Sequence, residues 1–244
     1  MSIALITGGG GDIGAVTAKT LVEQGHRVVI NYRNSAARAD EVVAAIVAAG
    51  GEAMAIKADV TDVDAVAAMI NEVNQVWGGI DVLVHCALTP YVISTFADLS
   101  WEQLGGKLDT ELHAAFVVTK AVVPGMMSRG NGRLIYMSAL PSTRARVGMV
   151  TLGTSKAALD QFVRYVALEL APHGITANLV APTTVEGATA ARLIPPERLK
   201  AIAAAVPMKR LARPTDAAKT IAFLASEGAG FTTGHYIPVS GGLD

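Results

Sequence analysis

The 244-residue sequence has one cysteine, Cys86, few aromatic side chains (5%) and few charged ones (17%). A lone cysteine excludes an internal disulfide framework and is typical of the reducing cytoplasm. The formal net charge is −1 and no Lys/Arg block is longer than a pair, which argues against nucleic acid or an anionic membrane as partner. No stretch approaches the roughly 20 apolar residues of a membrane span, and no basic leader precedes the first apolar run. We therefore expect a cytoplasmic protein that binds small molecules.

Apolar residues make up 51% of the sequence. A chain of this length and composition buries one large core, so we expect a single domain over residues 1–244. Short β-rich runs, apolar on both faces, alternate with helix-length segments. The predicted strands are 3–6, 27–31, 52–56, 81–84, 133–137, 176–180 and 236–239. This alternation predicts an α/β fold, a doubly wound parallel sheet of about seven strands with helices on both faces.

The least regular part of the sequence is the segment of about 183–207. It contains Pro195 and Pro196 and lies between a predicted strand and the last predicted helix. Long irregular segments at such places often cover a binding site. We expect a substrate lid here.

The first predicted strand leads into a glycine-rich turn, TGGGGDIG, which is followed by a helical segment at 15–24. Glycines let the backbone approach a pyrophosphate, and the helix N-terminus favours the anion. A glycine turn without a ligand is the alternative. Asp12 is unusual in such a turn, because its carboxylate would cap the helix but repel a phosphate. The predicted cofactor-binding residues of the turn are Gly8, Gly11, Asp12, Ile13 and Gly14.

The second predicted strand ends in Asn31-Tyr32-Arg33, without the acidic residue that usually holds the ribose hydroxyls of NAD. Arg33 is suited to pair with a 2′-phosphate through charge-assisted hydrogen bonds, which favours NADP(H). An exposed arginine at a strand end is also ordinary surface chemistry, and that alternative stays open.

The segment from Ser138 to Lys156 (SALPSTRARVGMVTLGTSK) resembles the active-site stretch of the short-chain dehydrogenase/reductase family, in which a serine precedes a YxxxK motif. Leu152 stands at the tyrosine position, and leucine can neither donate nor accept a proton. The resemblance covers nearly the whole chain. It includes the glycine turn, KADVTD around Asp59, HCAL at 85–88 in place of the family's NNAG, GTSKAAL around Lys156, and the closing VSGG.

The resemblance implies a Rossmann-type subunit in which Ser138 and Lys156 are the remaining catalytic residues. It also implies a homotetramer or homodimer, assembled through helices at about 107–129 and 152–171. Glu111 aligns near an asparagine that the family places on the first of these helices. The further cofactor-binding residues that it implies are Asp59, Val60, Cys86, Ala87, Lys156, Pro182, Thr183 and Val185. No metal site is predicted.

The missing tyrosine restricts the reaction. Hydride transfer to a ketone needs an acid, whereas hydride transfer to an iminium neutralises a charge that is already present. We therefore expect an atypical NADPH-dependent reductase of a pre-activated electrophile, such as an imine, iminium or carbinolamine in specialised metabolism. A non-redox catalyst and a catalytically silent binding or scaffold protein are the alternatives. The candidates for a replacement acid are Tyr91, His113, Tyr136, Thr151 and Glu111. Glu111, if it faced the pocket, would also favour a cationic substrate.

Overall fold

A parallel β-sheet forms the centre of the protein. The computed structural model describes residues 1–243, so Asp244, the last residue of the expected domain 1–244, lies outside the described residues. Within residues 1–243 the strand order is β3-β2-β1-β4-β5-β6-β7, and every neighbouring pair is parallel. The strands are β1 (Ile3–Thr7), β2 (Arg27–Tyr32), β3 (Ala53–Lys57), β4 (Val82–His85), β5 (Gly132–Met137), β6 (Ile175–Pro182) and β7 (Tyr236–Val239). The predicted Rossmann-type α/β fold is confirmed.

Helices cover both faces of the sheet. The helices are α1 (Asp12–Glu23), α2 (Ala36–Ala48), α3 (Val63–Trp77), α4 (Trp101–Arg129), α5 (Val150–Leu170), α6 (Ala188–Leu193), α7 (Pro196–Ala205) and α8 (Pro214–Ala225). One apolar core lies between the sheet and α1, α2 and α8, and the other between the sheet and α3, α4 and α5. Central strands such as β1 are buried along their whole length, which explains their continuous apolar sequences.

The order of the strands locates the site. The chain passes from β1 to β2 and β3 on one side, and β4 then pairs with β1 on the other side. The segments after β1 and β4 therefore diverge and leave a crevice at the carboxyl ends of these strands, where open α/β sheets bind ligands. The glycine turn and the segment HCAL both begin there.

Several predicted boundaries differ from the structure, and two of these differences have a clear physical reason. Helix α4 begins at Trp101 rather than near 107, because Ser100 and Gln103 form a capping box that starts the helix a turn and a half earlier. The segment 183–207, predicted to be irregular, contains α6 and α7, and Pro196 starts α7 at a position where proline is tolerated. Among residues 1–243 no helix combines the length and apolar character that a membrane span requires.

Candidate active site

The glycine turn brings backbone closer to backbone than any side chain would allow. Gly8 has a φ of +62°, and a Cβ there would lie 2.9 Å from Cα of Ala87. A Cβ on Gly14 would lie 2.5 Å from the carbonyl oxygen of Gly8. These two glycines therefore hold the turn tightly against α1 and against the segment after β4, and they leave the N-terminus of α1 open to the crevice.

On the β2–β3 side, the crevice forms a region that we call the outer cleft, lined by Arg33, Arg38, Asp59, Val60 and Arg192 among others. Nη1 of Arg33 lies 3.5 Å from Oδ2 of Asp59. Hydrogen bonds from Thr61 and the nearby Arg33 guanidinium hold the pKa of Asp59 below its ordinary value. The structure thus brings together Arg33, Asp59 and Val60, three residues that the sequence proposes for the cofactor.

On the β5–α5 side the crevice deepens into an inner cavity of about 260 Å³. Its walls are mainly apolar. Leu152 and Met149 come from the start of α5, and Ala139 and Leu140 follow β5. The remaining predicted residues that line it are Gly8, Gly11, Asp12, Ile13, Gly14, Cys86, Pro182, Thr183 and Val185. Leu152 therefore presents an isobutyl group at the wall where the resemblance implies a phenol.

Ser138 requires a correction. Its side chain is buried and donates a hydrogen bond to Oγ of Ser142 at 3.4 Å, and it also hydrogen-bonds the Asp160 carboxyl on α5. Ala139, in extended backbone, takes its place at the cavity wall. Because successive side chains in extended backbone point to opposite sides, a serine one position earlier faces away from the cavity. In this structure Ala139, and not Ser138, lines the inner cavity.

Lys156 lies beneath the cavity in a buried cluster of charges. Its Nζ donates to Oε1 of Glu111 at 2.5 Å and to the carbonyl oxygen of Met137 at 2.6 Å. Lys107, one helical turn before Glu111, donates to Oε2 of Glu111 at 2.5 Å and to the Thr89 hydroxyl. Burial alone would raise the pKa of Glu111, but the ammonium groups of Lys156 and Lys107 outweigh it and hold that pKa well below its ordinary value. We call these three residues the buried charge cluster.

The buried charge cluster also corrects the expectation for Glu111. The carboxyl group is only 1% exposed and does not line the inner cavity. Two lysines surround one carboxylate, so the cluster carries a net positive charge. Glu111 therefore does not draw a cationic substrate into the cavity, and its role is to neutralise buried lysines.

The segment after β4 is neutral and closely packed. The Ala87 N–H donates to Oγ1 of Thr7, which also shares a hydrogen bond of 3.0 Å with Nδ1 of His85. Which of these two atoms donates depends on the imidazole tautomer. Burial lowers the pKa of His85 to about 4 and raises the pKa of the Cys86 thiol to about 12. At neutral pH neither group supplies a charge or a reactive thiolate to the cavity.

Comparison with known proteins agrees with this architecture. Residues 10–244 match the family model described as enoyl-(acyl carrier protein) reductase. The chain is 35% identical over 244 residues to acetoacetyl-CoA reductase of Allochromatium vinosum, covering 99% of this chain and 98% of that one. It is 34% identical over 242 residues to the 3-oxoacyl-[acyl-carrier-protein] reductase FabG of Staphylococcus aureus, covering 98% and 97%. The chain belongs to the short-chain dehydrogenase/reductase family.

Solved structures extend the comparison. The crystal structure of gox2181 superposes with a TM-score of 0.92 at 30% identity and covers 99% of this chain and 95% of that one. NAD⁺-bound xylitol dehydrogenase superposes with a TM-score of 0.92 at 26% identity and covers 99% and 98%. The two curated relatives are named as reductases and the second solved structure as a dehydrogenase, so this member of the short-chain dehydrogenase/reductase family is an oxidoreductase by family.

The residues present fit a nicotinamide dinucleotide. The turn that Gly8 and Gly14 keep free of Cβ atoms provides backbone N–H groups at the start of α1, and the outer cleft supplies Arg33 and Arg38. Asp12 is the acidic residue of the glycine turn, and its charge opposes a phosphate there. Lys156 does not line either cavity, since its Nζ is occupied by Glu111 and Met137.

Of the five candidates for a replacement acid, Tyr91 alone lines the inner cavity. Tyr136 is fully buried and its hydroxyl pairs with Thr119, and the hydroxyl of Thr151 donates to the carbonyl oxygen of Val92. His113 lies in a separate shallow groove with Phe116 and Phe162. Burial raises the pKa of Tyr91, so its hydroxyl is protonated at neutral pH.

Sequence reasoning missed several residues of the site, among them Ala139, Lys107 and Arg38. The spacing of Lys107 and Glu111, four residues apart on one predicted helix, would have indicated their ion pair. Arg38 is the second cation of the outer cleft, and only the packing of α2 beside the turn shows this. No sequence signal distinguishes Ala139 from Ser138 as the cavity residue, because the direction of the backbone decides it.

Proposed function

We propose that the protein is an NADPH-dependent reductase of a pre-activated electrophile such as an imine, iminium or carbinolamine. The observation that carries this proposal is that Leu152 and Ala139 both line the inner cavity. Neither side chain can protonate a developing alkoxide, so a simple ketone would lack the acid that its reduction needs. An acceptor that is already electron-poor does not have this requirement.

The preference for NADPH rests on the outer cleft. Arg33 and Arg38 lie there, and β2 ends at Tyr32 without an acidic residue to hold the ribose hydroxyls of NAD. A guanidinium can pair with the 2′-phosphate by charge-assisted hydrogen bonds. When bound, NADPH supplies the hydride.

The chain's own residues then have limited tasks. Leu152, Met149 and Leu140 exclude water and hold an apolar substrate. A neutral imine is protonated by solvent to the iminium before it accepts the hydride, so it takes no proton from the cavity wall. For an iminium no proton is needed. The buried charge cluster keeps Lys156 fixed below this wall.

A catalytically silent binding protein or a non-redox catalyst is the second candidate function. The observation that favours it is that Leu152 and Ala139, which have no hydroxyl, stand at the wall of the inner cavity, while Asp12 brings a carboxylate to the glycine turn. Such a protein would bind a ligand without consuming NADPH.

We also propose a homodimer or homotetramer. Phe116 on α4 and Tyr165 and Leu168 on α5 are exposed on neighbouring helices. Exposed apolar faces of this kind favour contact with a second copy. Sedimentation velocity would test this, and a monomer at micromolar concentration would contradict it.

The decisive experiment compares a cyclic imine with the ketone of the same ring. We expect the wild-type protein to bind NADPH more tightly than NADH, measured by nicotinamide fluorescence, and to oxidise NADPH with the imine but not with the ketone. The Tyr91→Phe variant should leave the reactions of the imine and of an N-alkylated iminium unchanged, and a loss with the imine alone would show that Tyr91 is an acid. Equal rates with imine and ketone would contradict the proposal, and NADPH binding without turnover of any imine or iminium would favour the silent binding protein.

A further inference from the structure

Asp12, at the start of α1, connects three elements around the glycine turn. Its Oδ2 accepts a hydrogen bond from the backbone N–H of Thr189 on α6 at 3.0 Å. Its Oδ1 accepts one from Nη2 of Arg38 on α2 at 3.3 Å. The carboxylate therefore ties the lid and an arginine of the outer cleft to the turn.

The lid approaches Asp12 through a glycine. Gly187 has a φ of +142°, and a Cβ there would lie 2.7 Å from Oδ2 of Asp12. The base of the lid is fixed separately, since Glu186 and Ala212 are joined by a backbone hydrogen bond of 2.8 Å. The hydrogen bond from Thr189 to Asp12 is a second tie, which joins the start of α6 to the turn.

The contact between Thr189 and Asp12 brings a negative charge to the glycine turn, where a cofactor phosphate would bind. The N-terminus of α1 is the part of the crevice where free N–H groups and the helix dipole favour an anion. In this chain the Asp12 carboxylate lies there, and its hydrogen bonds with Thr189 and Arg38 outweigh burial and lower its pKa, so that it is charged at neutral pH. A dinucleotide pyrophosphate would meet a like charge at short range.

We infer that Asp12 is a lid-positioning residue that holds α6 against the glycine turn and competes with cofactor phosphate for that place. Cofactor binding then requires Thr189 to leave Asp12, and it allows Arg38 to exchange the carboxylate for a phosphate. This inference rests on the proposed function, because it assumes that the crevice binds a dinucleotide. It adds that the lid and the cofactor are coupled through one carboxylate.

Hydrogen exchange of the Thr189 amide reports the lid contact directly, without any measurement of activity. In the Asp12→Gly variant we expect exchange at residues 187–191 to rise about tenfold and NADPH to bind about tenfold more tightly. Asp12→Asn keeps an acceptor but removes the charge, so NADPH should bind more tightly while exchange stays close to wild type. Asp64→Asn, which removes an exposed first-turn carboxylate from α3, is the matched control and should change neither. Adding NADPH to the wild-type protein should speed exchange at Thr189.

The outcomes separate the lid contact from the cofactor. If exchange at Thr189 in Asp12→Gly equals wild type in a folded protein, Asp12 does not position the lid and the inference fails. If both Asp12 variants bind NADPH no better than wild type, there is no competition, and the inference fails while the proposed function stands. If no form binds a dinucleotide, the proposed function fails, and with it the competition.

Discussion

The outer cleft and the inner cavity begin at the same glycine turn, yet their walls have different abilities. The outer cleft retains charged groups in contact with solvent, including Arg33, Arg38 and Asp59. The inner cavity has mainly apolar walls with Leu152 and Ala139, and Lys156 lies outside its lining, paired with Glu111. Binding through backbone N–H groups depends on the path of the chain, whereas proton transfer depends on single hydroxyls. One part of a site can therefore keep its function while the neighbouring part changes its own.

The largest expected effect comes from returning hydroxyls to the inner cavity. The double variant Leu152→Tyr/Ala139→Ser should reduce simple ketones about 10³-fold faster than wild type, because a general acid contributes on that scale. Leu152→Tyr alone should gain less, and Ser138→Ala, which changes a residue turned away from the cavity, should not affect the gain. Steady-state NADPH oxidation measures this. If the double variant bound NADPH but reduced no ketone, these two side chains would not be all that the inner cavity lacks for ketone reduction.

The next effect concerns the buried charge cluster. Glu111→Ala should lower the free energy of unfolding by about 3 to 5 kcal/mol, because it leaves two buried lysines without their carboxylate. Lys107→Leu/Glu111→Asn, which removes both a positive and a negative charge, should recover most of that loss. Denaturant unfolding tests the pair. If Glu111→Ala were as stable as wild type, the buried charge cluster would contribute no more to stability than a surface ion pair.

A smaller effect depends on pH. His85 is neutral in the fold, with its pKa lowered from 6.5 to about 4 by burial, so the unfolded chain binds more protons between these values. The stability that His85 contributes is complete above pH 6.5 and is lost as pH falls towards 4, by roughly 3 kcal/mol. Glu111, whose pKa is also lowered, adds its loss only below about pH 4.5. His85→Asn should flatten the unfolding free energy between pH 6.5 and 4.5; an unchanged slope would show that His85 is not the group that titrates.

The smallest effect belongs to the outer cleft. Arg33→Ala should reduce the preference for NADPH over NADH about tenfold, since hydrogen bonds to charged groups contribute on this scale and the side chain is half exposed. Arg164→Ala on α5 is the control for loss of an exposed arginine. Calorimetric titration with both nucleotides measures the ratio. If the ratio of the NADPH and NADH affinities did not change, Arg33 would not be the residue that selects NADPH, and Arg38 would be the next to test.

The sequence by itself determined the fold and the location of the crevice. Strands apolar on both faces and separated by helices indicate a parallel sheet that is covered on both faces, and a glycine turn after β1 has one place in a doubly wound sheet. It also identified the missing tyrosine, since Leu152 is fixed by its distance from Lys156 along one helix. Only the tertiary structure decided which side chains reach the inner cavity. Ser138 and Ala139 are neighbours in sequence, but extended backbone turns them to opposite sides. Glu111 pairs with Lys156, 45 positions away in sequence, and Asp12 contacts Thr189, 177 positions away. Only packing brings such distant groups together.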